Sequence, residues 1–286
     1  TIVVEAAGRL LANEDPMASA LVKQSMERLG VEIHLGTGVE RIDPNPHGGA
    51  HLVRLSNGDS VSADEILVAT GRRPSTRELD LARAGIKVTE RGAVQVSSQL
   101  QTSAKTVFAA GDVTGLMLLT HAADEMGRIA ERNAMSSRRH WRRFHPERIP
   151  SVIFTEPEVA SIGLSEHKAA SLGARVAYLP LSELDRAMIA DKPEGYIKLI
   201  AGPNRGIGNL GGGRLLGASV VGTHAGEMIH ELALAITSAM LVGRLAQTVH
   251  AYPTWSVAIR MAAAQFFYEY QGRSARPASE NARDDT

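Results

Sequence analysis

Thr106-Val107-Phe108-Ala109-Ala110-Gly111-Asp112, followed from Thr120 by a helical run, is the stretch on which the fold turns. Its first five residues read as a buried strand that ends in a glycine and an acid. An aspartate at the carboxyl end of a parallel strand can accept a hydrogen bond from a sugar-like hydroxyl, and Gly111 removes the side chain that would block the approach. Between Thr120 and Met135, the residues Ala122, Ala123, Met126, Ile129, Ala130 and Ala134 recur on one helical face. The free N–H groups and positive dipole end of that helix would open onto the same crevice as Asp112, a place suited to an anionic ring. Gly-Asp pairs also occur in plain surface turns. The pair gains meaning from the helix beside it.

Upstream, Thr1–Glu5 reads as a buried strand. Asp15 is placed to cap a helix that Pro16 opens, with Met17, Leu21, Val22, Met26 and Leu29 at helical spacing and Gly30 as its stop. Val31–Leu35 is the next strand, which completes half of a doubly wound α/β layer. An antiparallel meander follows (Val39–Ile42, His51–Leu55, Ser60-Val61, with the turn Asn57-Gly58), then short strands at Glu65–Ala69 and Val94–Val96. A chain that opens inside a strand on Thr1 is expected to be a piece of a longer one.

Downstream, Ser136–Pro150 is charged, poor in aromatics and closed by Pro146 and Pro150, and reads as a solvated interdomain linker. Its cluster Arg138-Arg139-His140-Trp141-Arg142-Arg143 admits nucleic-acid binding as the competing reading. Val152–Phe154, Val176–Pro180, Tyr196–Ile200 and Leu215–Val221 form a second, antiparallel sheet, with helices at Glu166–Leu172, Ala225–Met240 and Ser256–Tyr270. The interval Gly202–Gly213 reads as a hairpin tip, and from Gly272 the tail is expected to lack structure.

The whole chain of 286 residues allows about two compact units. Lys plus Arg equals Asp plus Glu at 31 each, so no global field favours nucleic acid or an anionic membrane, and neither is expected as a partner. No apolar run is long enough to span a bilayer. Cysteine is absent, which excludes disulfides, thiolate metal sites and thiol redox centres within these residues and fits a cytoplasmic protein. Glu5 ends its strand where a carboxylate can hold both ribose hydroxyls of NAD; a solvent-facing glutamate is the other reading, and Arg9 could instead attract the extra phosphate of NADP. Gly71, in Ala69-Thr70-Gly71-Arg72, would let a cofactor approach the backbone, or simply make a turn.

Six segments in order then carry a likeness: Ala69–Pro74 (ATGRRP), Val107–Val113 (VFAAGDV), Leu118–Ala123 (LLTHAA), Phe154–Glu166 (FTEPEVASIGLSE), Leu216–Glu227 (LGASVVGTHAGE) and Tyr252-Pro253-Thr254. With them the chain, from residue 1 to about 270, resembles the pyridine nucleotide–disulfide oxidoreductases, the family of dihydrolipoamide dehydrogenase, mercuric reductase and glutathione reductase. The resemblance implies a fold of α/β plus α+β type: the remainder of a Rossmann-like NAD domain (1–72), a returning segment of an FAD domain (73–145) and an antiparallel-sheet dimerisation domain (146–271), with 272–286 as a tail. It implies FAD and NAD, with NADP possible, as cofactors, and a homodimer through residues 146–271. Asp112 would meet the ribityl chain, the backbone of Leu118, Leu119, Thr120 and His121 the flavin ring, and Glu5, Val39 and Gly71 the nicotinamide dinucleotide.

The departures carry as much. Disulfide reductases of the family place a histidine before Pro-Thr and a glutamate further on as an acid/base pair; this chain has Tyr252 and Val257 there. A phenol with a reference pKa near ~10 is a poor proton acceptor for a thiol. His250, offset by two residues, is expected to be structural. The expected activity is hydride passage from NAD(P)H through flavin to a small-molecule acceptor, mercuric reductase-like or dihydrolipoamide dehydrogenase-like. The chain as it stands is expected to be inactive; a cofactor-free oligomerisation fragment is the alternative.

Overall fold

A computed structural model describes residues 1–45, 49–204 and 206–279. The chain divides into two compact units. One joins Thr1–Leu67 to Val152–Thr286, and the other is Val68–Ser151.

In the first unit, β1 (Ile2–Glu5) and β2 (Glu32–Leu35) pair in parallel across α1 (Pro16–Arg28). Asp15 Oδ1 accepts the Met17 N–H at 3.0 Å with Pro16 in the first helical position, and Gly30 takes the left-handed conformation past the end. The face of α1 that is buried is small, Ala18, Ser19, Val22 and Ser25, while Leu29 is exposed. β3 (Val39–Asp43), β4 (His51–Leu55) and β5 (Ser60–Ala63) form the antiparallel meander, turned at Gly58 with a φ of 91°.

The second sheet has six strands in the order β11-β8-β9-β10-β7-β6. They are β6 (Ser151–Ile153), β7 (Glu158–Gly163), β8 (Arg175–Pro180), β9 (Tyr196–Gly202), β10 (Arg214–Gly222) and β11 (Arg276–Pro277). Their helices are α3 (Glu166–Ala170), α4 (Asp185–Ile189), α5 (Ala225–Thr237), α6 (Val242–Gln247) and α7 (Val257–Ala264). The core of this part is apolar and continuous, from Ile197, Leu199 and Val220 on the sheet to Ile229, Leu232, Ile259 and Ala262 on the helices. A smaller cluster fastens α1 to the sheet's other side: Leu10, Ala18 and Val22 against Val159, Tyr196 and Val221. The glycine-rich interval joins β9 to β10 as expected. The tail is ordered beyond Gly272: β11 pairs with β8, and Arg276 bonds to Glu166. Residues 280–286 of the expected tail lie outside the described residues.

A charged cluster lies inside this apolar surround. Lys198 on β9 is 2% exposed and donates to Asp15 Oδ2 at 3.0 Å and to Glu166 Oε2 at 3.3 Å. Glu166, 3% exposed, also receives Arg276 and the Ser279 N–H. The Tyr196 phenol beside them is held neutral, its pKa pushed well up by burial and then by the Asp15 charge.

The second unit contains α2 (Thr120–Met135), whose buried residues Ala122, Met126 and Ile129 pack with Leu100 and Phe144. Three expected strands are absent. Val94–Val96 and Thr106–Ala110 are extended segments with single antiparallel bridges, Val88 to Val94 and Gln101 to Phe108, so Asp112 does not end a parallel strand. Glu65–Ala69 has no ladder among the described residues, and Leu67 and Val68 are exposed. A strand needs a neighbour for its backbone groups, and these segments have at most one bridge.

The stretch Ser136–Pro150 is no linker. The Asn133 amide donates to Gln99 O and Arg142 O at 2.9 Å each, and its oxygen accepts the Arg142 N–H at 2.8 Å. Phe144 is buried, and Trp141 meets the Phe108 ring edge-on at 5.3 Å. A buried amide with three bonds fixes this run to α2. Among the described residues of the chain, no helix is long and apolar enough to cross a membrane.

Candidate functional site

Gly111 has φ 81° and ψ −160°, and a Cβ there would stand 3.3 Å from Ala123 Cβ in the first turn of α2. This close approach sets the turn Asp112–Thr114 directly against the helix start. Thr114 locks it, donating to Gly111 O at 2.8 Å and lying 3.6 Å from the Met126 sulfur, while Val113 O accepts the Val94 N–H at 2.9 Å. The Asp112 carboxylate is exposed and has no hydrogen-bond partner among the described residues. Leu119 precedes α2 in an extended conformation with no side-chain cap, so the first-turn N–H groups stay open. Leu118 and Thr120 are exposed; the His121 ring is occupied elsewhere, with Nε2 2.7 Å from Pro150 O. Gly111 thus brings the turn that carries Asp112 next to the first turn of α2. This arrangement can accept from hydroxyls at Asp112 and donate to an anionic or carbonyl-rich ring at α2.

In the other unit, Glu5 Oε1 accepts the Ala7 N–H at 2.7 Å, which holds the carboxylate at the end of β1. The backbone brings Val39 near by way of Thr37, whose N–H bonds Glu5 O at 3.3 Å; Val39 is half exposed. Arg9 donates to the carbonyls of Leu11, Ala12 and Glu14, so its guanidinium is spent on its own loop. Gly71 is exposed with φ 119°, in the unit that holds Asp112.

Tyr252 is exposed, and its hydroxyl donates to Asp185 Oδ2 at 2.7 Å; Val257 is buried at the start of α7. Asp185 lies 67 positions upstream on a five-residue helix, and nothing in the local pattern links the two. His250 is packed away, its Nε2 3.1 Å from both Glu231 oxygens and its Nδ1 3.1 Å from Thr248 O, as expected of a structural histidine. The Asp185 bond, then its charge, holds the Tyr252 phenol above its ordinary pKa. Losing that carboxylate must therefore let the proton leave at lower pH. In an ultraviolet tyrosinate titration, Asp185→Asn is expected to move one phenol to lower pH, and superimposable curves would mean the pair is absent in solution.

Two family models match the chain: pyridine nucleotide-disulphide oxidoreductase over residues 1–127 and the dimerisation domain of the same enzymes over residues 149–263. A dihydrolipoyl dehydrogenase of Thermus scotoductus is 35% identical over 91% of this chain and 55% of its own length. A mercuric reductase of Staphylococcus aureus is 30% identical over 90% of this chain and 46% of its own. Among solved structures, LpdA of Mycobacterium tuberculosis superposes with a TM-score of 0.83 at 29% identity, covering 93% of this chain and 56% of that one. The chain spans about half the length of the curated relatives it matches. Both family models and the relatives say the same thing: this chain belongs to the pyridine nucleotide-disulphide oxidoreductase family.

Proposed function

We propose that the chain supplies the carboxy-terminal part of an FAD-dependent enzyme that passes hydride from NAD(P)H to a small-molecule acceptor. The observation that carries this is the exposed, unengaged Asp112 carboxylate seated beside the uncapped start of α2. Those residues suit FAD: an acid for the ribityl hydroxyls and open backbone donors for the ring. When bound, FAD supplies two-electron transfer between nicotinamide and acceptor. Asp112 orients the sugar-alcohol chain, Gly111 keeps its approach free, and the N–H groups of residues 120–122 stabilise negative charge on the ring.

Residues 1–72, 73–145 and 146–271 act as NAD, FAD and dimerisation segments in this reading. Glu5, Val39 and Gly71 contact the dinucleotide, and the Arg9 clamp supports NAD over NADP. Tyr252 stays protonated where a thiol reductase needs a base, which supports an acceptor other than a dithiol. The protein acts as a cytoplasmic homodimer. Because the chain spans about half of its relatives, we place activity in a longer polypeptide and expect the chain alone to be inactive.

The full-length protein is expected to purify yellow and to bleach on addition of NADH. Asp112→Ala removes a charged hydrogen-bond acceptor and is expected to weaken flavin binding about 10- to 100-fold. Colourless protein would sink the reading, as would a variant that keeps flavin as tightly as the parent.

A further inference from the structure

The 31 basic and 31 acidic side chains of the sequence are unevenly divided. Residues 68–151 hold 14 Lys and Arg against 8 Asp and Glu, an excess of six positive charges. Five of those six fall within residues 132–148, where Arg132, Arg138, Arg139, Arg142, Arg143 and Arg148 face Glu147 as the one acid. Two of the arginines are occupied or screened: Arg138 lies over the Trp141 ring at 5.2 Å, and Arg148 sits near Glu147. The guanidinium groups of Arg132, Arg139, Arg142 and Arg143 are exposed and have no acidic partner among the described residues.

A basic run on a mobile linker would be solvated and carry no further meaning. This run is fixed in place by the Asn133 bonds and the buried Phe144 ring. It also borders a cleft of about 460 Å³ against the last turns of α2, lined by Ile129, Arg132, Met135 and Arg142. Arg128, held by Asp124, and the acids Glu125 and Glu131 line it too. Met135 is 85% exposed, an apolar side chain on the same lining as Arg132 and Arg142.

We propose that this cleft and the arginine run are a docking groove for an acidic polypeptide segment that carries apolar residues among its carboxylates. Carboxylates pair with the planar guanidinium groups, and an apolar side chain covers Met135. The geometry of the run favours a peptide over nucleic acid. The aromatic in the run, Trp141, is already covered by Arg138 and bonded through its indole N–H to Ser136 O, so it offers no stacking face to a base. The local helix at Arg138–His140 is three residues long, too short to lie in a groove of a duplex.

The test uses the full chain and a fluorescent twelve-residue peptide of alternating Glu and Leu, read by anisotropy at 0.15 M salt. Arg139→Gln, Arg142→Gln and Arg143→Gln together are expected to weaken binding about tenfold. The Asn133 clamp uses only the Arg142 backbone and survives these changes. Met135→Ala is expected to weaken it about threefold, while Arg77→Gln with Arg83→Gln, elsewhere in the same unit, leaves it unchanged. A Gln-for-Glu peptide should not bind. The proposal is overturned by the absence of saturable binding, by equal affinity in the triple variant, or by a twelve-base-pair duplex that binds more tightly than the peptide.

Discussion

Lys198→Met is expected to lower the stability of its unit by about 3–5 kcal/mol, the usual cost of leaving buried acids without their cation. Asp15 and Glu166 remain in place and lose a donor at 3.0 and 3.3 Å. Arg276 still serves Glu166 from the edge strand β11, though it is more exposed, so Asp15 bears most of the loss. Urea unfolding followed by the buried Trp255 in a Trp141→Phe background reads this unit alone. Lys23→Met, which breaks the exposed pair with Glu27, sets the comparison at under about 1 kcal/mol. A Lys198 variant no worse than that one would show the site to be wet in solution.

Gly195→Ala should be comparably harmful for a different reason. Gly195 leads into β9 with φ 129°, and a Cβ there would lie 2.0 Å from Val221 O on β10. Nothing flexible can give way, since the obstacle is backbone in the most interior pair of the sheet. Left-handed strain adds about 1–3 kcal/mol and the enforced separation of strands at least as much. At about 2–4 °C per kcal/mol for a unit of this size, the thermal midpoint should fall by roughly 5–15 °C. An unchanged midpoint would mean that β9 and β10 are farther apart than described.

Local chemistry made the helices and the antiparallel strands readable. Asp15-Pro16 announced α1, and the short apolar runs Tyr196–Ile200 and Leu215–Val221 announced the centre of the second sheet. The failures came where a partner far along the chain decides. Glu65–Ala69 has the composition of a strand but not the neighbour. Arg138–Arg143 has the composition of a linker, yet Asn133 and Phe144 hold it in place. The short helices α4 and α6 were not anticipated, because each is too brief to show a period, and neither was β7, whose buried and half-buried positions do not alternate. At the candidate site, Asp112 and α2 were legible, since the helix begins only 8 positions after the acid. Asp185 was not, and neither was the burial of Lys198, whose partners lie 32 and 183 positions away.

The seam between α1 and the second sheet has a consequence for biosynthesis. Ala18 and Val22 are made before Val159, Tyr196 and Val221, which cover them and follow up to about 200 residues later. At usual elongation rates that interval lasts roughly 10–40 s. Throughout it, the nascent β1–α1–β2 segment carries an uncovered greasy flank. Until the sheet arrives, that flank is a target for the chaperones that cover apolar surface on nascent chains.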